Sequence, residues 1–337
     1  MENISVLSAE KAKVTESLSA AVESESINLR LEKVGCCLCE AEDGLPIAVG
    51  EDFEYKTSAD DFLAMQCRRC SLVYLNPRPA LSEFARIYPS NYHAFEFSAE
   101  EFGFVYKVRR KLEAKRLLSW CKGLSDDARI LDVGCGDGFH LGVLREFGKK
   151  TWTLEGVDAD ERAVAIGARN GLKIHQGTLE TVSLPENSYD LVILIQTIEH
   201  VADPPELLRQ IRALLRPGGR LVIVTDNTDS LDFKLFKGRH WGGYHFPRHW
   251  NLFNKSTIRD IARKTDFEID TLTTQVSPVN WTYSVRNSLA DLGAPPWMVN
   301  FFSLKSTAAL SFFTAFDTLH QFFDRGALLN AILRRPL

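Results

Sequence analysis

The sequence predicts an α/β fold built on a doubly wound, mostly parallel sheet with helices on both faces. Three observations carry this. "RILDVG", "LEGVDAD", "DLVILIQ" and "RLVIVTD" are short, β-branched-rich runs bounded by Gly, Asp and Pro. Amphipathic stretches such as "ERAVAIGARNG" and "PPELLRQIRALLRPGG" lie between them at helical period. A glycine-rich turn, "VGCGDG", follows the first run directly, where a parallel sheet of this kind binds nucleotide-like ligands.

Taken in order, residues 1–30 are charged and rich in Ser, Ala and Glu, and are expected to form a mobile arm. Residues 31–75 hold five of the seven cysteines and are expected to form a zinc ribbon. Residues 76–125 read as a linker and a helix, "FVYKVRRKLEAKRLLSWCKG", covering the pocket. Residues 126–285 carry the strand–helix alternation and then an aromatic, His-rich stretch that suits an acceptor lid. Residues 286–337 are apolar and expected to be helical.

The composition is that of an ordinary globular chain: 337 residues, 45% hydrophobic, 25% charged, net charge −4. A nucleic-acid binder usually carries a basic excess, so none is expected as a partner. The opening stretch has no apolar core of a signal peptide, and no run approaches 18 uncharged apolar residues. A cytoplasmic protein is expected, with peripheral contact at the inner membrane face as the alternative. Clustered cysteines then bind metal more often than they form disulfides.

Cys36-x-x-Cys39 and Cys67-x-x-Cys70 are two knuckles with 27 residues between them. Four thiolates from two tight turns close a tetrahedral Zn2+ shell with no open position, which is a structural site. Cys37 is an alternative to Cys36 as ligand. Cys121 and Cys135 stand alone and suit small buried hydrophobes.

In the glycine turn, Gly134, Gly136 and Gly138 fall at relative positions one, three and five, not the one, three and six of the dinucleotide fingerprint. Asp132 lies in the strand just before them, where it would repel a pyrophosphate and attract an ammonium. S-adenosylmethionine (SAM) has such an ammonium and no phosphate. Asp158, 24 residues after Gly134, ends the next strand, where a carboxylate hydrogen-bonds ribose hydroxyls. Its alternative role is a helix N-cap.

These residues resemble a class I SAM-dependent methyltransferase over 125–226. "ILDVGCGDGFHL" is similar to the first motif of that family, "LEGVDAD" to its ribose-binding loop, and the stretch from "GTLETV" to "GGRLVIVT" to its remaining core. The resemblance implies a seven-stranded sheet with one antiparallel hairpin at its C-terminal edge. It gives the cofactor set as Asp132, Gly134, Cys135, Gly136, Gly138, Asp158, Ala159, Thr178, Leu179 and Gln196. Thr178 stands where the family often has an adenine-binding Asp, and Gln196 matches a position facing the methionine half of SAM. "DPP" at Asp203–Pro205 reads as a helix start rather than an amine-gripping motif, because "TIEHVA" separates it from the strand end.

On the acceptor side, "HWGGYHFPRHWNLF" offers His240, Tyr244, His245 and His249 as candidate bases, with Glu199–His200 as a second pair. The block "CRRCSLVYLNPRPALSEFARIYPSNYH" is similar to the segment joining a zinc ribbon to a SAM domain in a bacterial branch that includes deoxysugar C-methyltransferases. That branch carries Tyr-His-Glu-His after the fifth strand. Here Tyr244-His245-Phe246-Pro247-Arg248-His249 is two residues longer and lacks the Glu.

The reading is therefore a SAM-dependent methyltransferase with a structural zinc, acting on a small-molecule acceptor: a sugar, or a glycan- or lipid-linked intermediate. An NAD(P)-dependent sugar oxidoreductase is disfavoured by the glycine spacing and an RNA methyltransferase by the charge; a non-catalytic scaffold of the same fold is the third rival. Monomer and homodimer stay open, as does whether the C-terminal segment packs on the core, a partner subunit or a membrane.

Overall fold

The structure, a computed structural model, describes residues 28–89, 92 and 99–337. The expected arm lies outside these except at its end, where Leu29 is buried and its N–H donates to Asp60 Oδ2 (2.7 Å).

Five strands open the chain: β1 (Leu31–Glu32), β2 (Gly44–Gly50), β3 (Phe62–Cys67), β4 (Val73–Leu75) and β5 (Arg78–Pro79). Helices α1 (Phe84–Ile87) and α2 (Ala99–Trp120) lead to the alternating region. That region runs β6 (Arg129–Val133), α3 (Phe139–Phe147), β7 (Thr153–Asp158), α4 (Glu161–Arg169), β8 (Lys173–Gln176), β9 (Tyr189–Ile195), α5 (Pro204–Leu214) and β10 (Leu215–Asp226). After it come α6 (Leu231–Phe236), β11 (Asn251–Leu252), α7 (Lys255–Lys264), β12 (Glu268–Gln275), α8 (Pro278–Asp291), α9 (Pro296–Phe301), α10 (Thr307–Gln321) and β13 (Leu328–Arg334).

The central sheet has seven strands in the order β12-β13-β10-β9-β6-β7-β8. The five from β10 to β8 are parallel, and β13 runs antiparallel to both its neighbours. Ile130, Leu131, Leu191 to Leu194 and Leu221 to Val224 are wholly buried. Strands covered on both faces are continuous apolar runs, which is why four of them were readable. The caps follow the sequence signals: Asp160 accepts from the Arg162 and Ala163 N–H groups to start α4. Asp203 accepts from Glu206 N–H (3.0 Å), with Pro204 and Pro205 in the first turn of α5, as expected of a helix start. At the sheet's lower end, buried Glu155 accepts from Arg129 Nη2 (2.7 Å), Tyr189 Oη (3.0 Å) and Lys173.

Two features depart from the expected division of the chain. The segment 286–337 is not helical throughout: its end, β13, is a buried interior strand of the central sheet. Residues Leu329, Ala331 and Leu333 are wholly buried there. Nor is the cysteine-bearing module separate. β11 pairs with β4 and completes a second sheet, β11-β4-β3-β2. A second core joins Phe62, Val73 and Ile87 to Trp241, Tyr244, Phe246 and Trp250. The module and the segment after β10 therefore fold against each other.

Asp317 is buried and accepts from Trp281 Nε1 (3.0 Å), Ser277 N (2.8 Å) and Ala327 N (3.2 Å). Trp297, Phe312, Phe322 and Phe323 stay exposed. Among the described residues no helix is long and apolar enough to cross a membrane.

Candidate active site

The carboxyl ends of β6, β7, β9 and β10 meet at one edge of the sheet. Gly134 and Gly138 have φ of 70° and 82°, a left-handed backbone that suits glycine. A Cβ on Gly134 would stand 2.5 Å from the Thr197 side chain. The N–H groups of Gly134 and Cys135 donate to Val157 O (2.8 and 3.2 Å). Asp158 holds the turn: Oδ2 accepts Gly136 N–H (2.8 Å) and Oδ1 accepts Asp160 N–H (2.9 Å). Asp160, not Asp158, is thus the N-cap of α4. Each Asp158 oxygen keeps a further lone pair for a hydroxyl donor.

Asp132 is 1% exposed, and its Oδ2 has no hydrogen-bond partner; His140 Nδ1 lies 3.7 Å away. Gln196, at the end of β9 with φ 49°, donates Nε2 to Glu199 Oε1 (2.5 Å) and Asp226 Oδ2 (3.3 Å), while its buried Oε1 has no partner. Unpaired buried acceptors are costly, and an ammonium, which is donor-only, satisfies such a pair. The site therefore fits the amino-acid end of SAM. Leu179 is half-buried; Ala159 and Thr178 are exposed, and Thr178 N–H donates to Thr181 Oγ1 (2.9 Å). Burial pushes the Cys135 thiol well above its ordinary pKa.

Beside this turn three imidazoles converge. Ring centroids lie 4.6 Å apart for His200 and His249, and 5.0 Å for His245 and His249. His249 Nδ1 is 2.8 Å from Gly243 O and 3.2 Å from Asp226 Oδ2. His200 Nδ1 is 2.8 Å from Tyr88 Oη and 3.2 Å from Arg248 O. His245, with φ 40°, sets Nδ1 at 2.6 Å from Glu54 Oε2. Glu199 is wholly buried; Thr225 Oγ1 donates to its Oε2 (2.8 Å), and Trp250 N–H to its main-chain oxygen (2.7 Å).

The electrostatics separate these groups. Burial, reinforced by the neighbouring imidazoles, holds His200 well below the usual histidine pKa. Burial also lowers His245 despite Glu54. Burial acts the same way on His249, but Asp226 and then Glu199 outweigh it and leave that histidine raised. Burial pushes Glu199 up to about 7, against the His249 charge and with that of Asp226.

The N-terminal module supplies one wall. Arg248, wholly buried, forks onto Asp52 Oδ1 (3.1 Å) and Oδ2 (2.8 Å), donates to Ile87 O (2.6 Å), and lies 4.4 Å over the Tyr55 ring. Tyr92 meets Tyr88 edge-on (5.0 Å) and lies tilted against His245 (6.0 Å). Tyr244 has a packing role: its hydroxyl donates to Lys237 O (2.5 Å) and its ring stacks on Phe246. Sequence reasoning missed Glu54, Tyr55, Asp226 and Asn280. Only Asp226 carried a signal, as a carboxylate at the carboxyl end of a parallel strand.

In the module, Cys36 Sγ and Cys70 Sγ are 3.5 Å apart and Cys39 Sγ and Cys67 Sγ 3.4 Å; all four lie within 4.8 Å of one another. That spacing suits one tetrahedral Zn2+ with four thiolates. Cys37 instead donates to Asn251 Oδ1 (3.2 Å), so Cys36 and not its neighbour faces the cluster. Glu199, His200 and His249 also bring one donor atom each within 4.8 Å, although Gln196 and Thr225 already hold both Glu199 oxygens.

Residues 104–272, half of the chain, match the family described as a methyltransferase domain. The ubiquinone biosynthesis O-methyltransferase of Cereibacter sphaeroides is 28% identical over 169 residues, 47% of this chain and 67% of that protein. Its namesake in Maricaulis maris is 30% identical over 174 residues, 49% of this chain and 66% of that one. Among solved structures, phosphoethanolamine N-methyltransferase 2 of Haemonchus contortus, bound to S-adenosyl-L-methionine, aligns with a TM-score of 0.50 at 18% identity. The alignment covers 96% of this chain and 75% of that one, a likeness of fold.

Proposed function

The chain belongs to the methyltransferase-domain family and is a SAM-dependent methyltransferase, and from that premise we propose that it methylates a small-molecule acceptor held between the histidine cluster and the cysteine-bearing module. The relatives' names, O-methyltransferases of ubiquinone biosynthesis, support a small-molecule acceptor, and a sugar or a glycan- or lipid-linked intermediate stays within that class. The observation that carries the reading is the meeting of two unpartnered buried acceptors, on Asp132 and Gln196, with three imidazoles at one sheet edge.

In this reading Asp132 and Gln196 take the cofactor's ammonium and Asp158 its ribose hydroxyls. Gly134, Gly136 and Gly138 leave the backbone clear, with Cys135, Ala159, Thr178 and Leu179 around them. When bound, SAM supplies an electrophilic methyl group on a sulfonium, so the enzyme needs no nucleophile of its own. The protein's part is alignment and proton removal. His249 takes the acceptor's proton on Nε2, because both neighbours of its Nδ1 are acceptors. His200 and His245 orient the acceptor, and the rings of Tyr55, Tyr88 and Tyr92 exclude water. Cys36, Cys39, Cys67 and Cys70 hold a structural zinc that fixes the module.

Titration calorimetry with SAM tests this directly. Wild type binds; Asp132→Ala and Asp158→Ala each lose at least about tenfold in affinity, the value of roughly 1.4 kcal/mol for a charged hydrogen bond. Wild-type protein that does not bind SAM, or an Asp158→Ala variant that binds equally well, contradicts the assignment. Metal analysis of the pure protein should find about one zinc per chain.

A further inference from the structure

The structure assigns Asp226 as the positioning residue for His249, with Asn280 behind it, a role that builds on His249 as proton acceptor. Asp226 ends β10 and is 1% exposed. Its Oδ2 faces His249 Nδ1 at 3.2 Å, and its Oδ1 accepts Asn280 Nδ2–H at 2.6 Å. Ser277 Oγ donates to Asn280 Oδ1 (3.1 Å), which fixes the amide so that its NH2 points at the carboxylate. Gln196 Nε2 is the other donor to Oδ2, at 3.3 Å. The line Ser277–Asn280–Asp226–His249 thus links the start of α8 to the base.

The two acceptors at Nδ1 do different work. Gly243 O, at 2.8 Å, can only accept, so it keeps the proton on Nδ1 and the lone pair on Nε2. Asp226 adds a charge. When Nε2 takes the acceptor's proton, the bonding pair stays on the acceptor atom and the ring becomes an imidazolium, which the carboxylate stabilises. Other groups facing the ring are Glu199, whose carboxyl shares Gln196 with Asp226, and the imidazoles of His200 and His245. Arg248, adjacent in the chain, is neutralised by Asp52, and Tyr88 acts through His200. Among these, Asp226 alone sets a carboxylate oxygen within ion-pair distance of a His249 ring nitrogen.

The test needs no acceptor. Full-length protein labelled with 15N-histidine is titrated by NMR, with the His249 signals assigned from His249→Gln. Wild type should show the Nδ1–H tautomer, with its proton displaced downfield as in a bond to a carboxylate. Asp226→Asn should keep that tautomer and lower the His249 pKa by about one unit or more, a tenfold change in proton affinity. Asp226→Glu, which restores the charge, should recover part of it. An unshifted pKa in Asp226→Asn, or an ordinary Nδ1–H signal in wild type, overturns the role of Asp226 and leaves His249 as base; the second measurement serves if the variant does not fold. A proton found on Nε2 of wild-type His249 instead removes the base itself.

Discussion

Arg248 shows how much one side chain fixes here. Its guanidinium satisfies Asp52, two main-chain carbonyls and the face of Tyr55, all without solvent contact. Arg248→Met would leave Asp52 charged, buried and unpaired, a loss of about 3–5 kcal/mol. Urea unfolding should show this as a lowered midpoint with unchanged slope; an unmoved midpoint would contradict the geometry. Gly134→Ala is a second single-residue case, since the new methyl meets Thr197 and sits at φ 70°. Its expected result is loss of SAM affinity by calorimetry with retained secondary structure. At this scale the glycine turn and the carboxylates Asp132 and Asp158 could be singled out because each sits in or directly after a short apolar strand, at a spacing visible in the sequence. Glu54 and Asp52 were not: they reach His245 and Arg248 across nearly 200 residues of chain.

Among the elements, the paired strand β11 and the two cysteine turns define what the module contributes. No residue of 36–70 belongs to the proposed cofactor set, yet Glu54 and Tyr55 line the acceptor side. Chelating zinc should therefore loosen the turns, seen as faster proteolysis between 36 and 70, while SAM affinity by calorimetry stays as it was. Collapse of SAM binding on chelation would mean that the module supports the cofactor instead. The four core strands were legible because both faces of each are buried. Two-residue β11 was invisible because only its partner β4 makes it a strand, and β13 because "LLNAILR" follows about fifty residues of helices and turns and pairs with strands far back.

For the whole molecule, buried carboxyls of opposite tendency shape stability against pH. Although burial opposes it, Lys173, Arg129 and Tyr189 hold Glu155 down at about 2, against an unfolded value of 4.5. Its contribution is present above pH 4.5 and lost as pH falls toward 2, about 3 kcal/mol in all. Burial pushes Asp232 up to about 7, so it favours the folded state most below its unfolded value of 3.8, and that advantage disappears as pH rises through 7. Urea midpoints at pH 5 and pH 8 should therefore converge or cross for wild type and Asp232→Asn, with the variant gaining relative stability at the higher pH. A constant difference between the two proteins would contradict the burial argument. Glu155→Gln should lose part of its deficit against wild type between pH 5 and pH 3, and the rest as pH falls toward 2.

The position of β13 also sets an order of events. Lying between β10 and β12, it is the strip without which β10 shows an open edge of unpaired N–H and C=O groups beside buried apolar side chains. A ribosome delivers residues 328–334 after every other strand of the sheet, so the SAM-binding edge can take shape during synthesis while the sheet itself stays open. Nascent chains arrested before residue 328 are predicted to need a chaperone, and released ones to become soluble only when that last strip slots in.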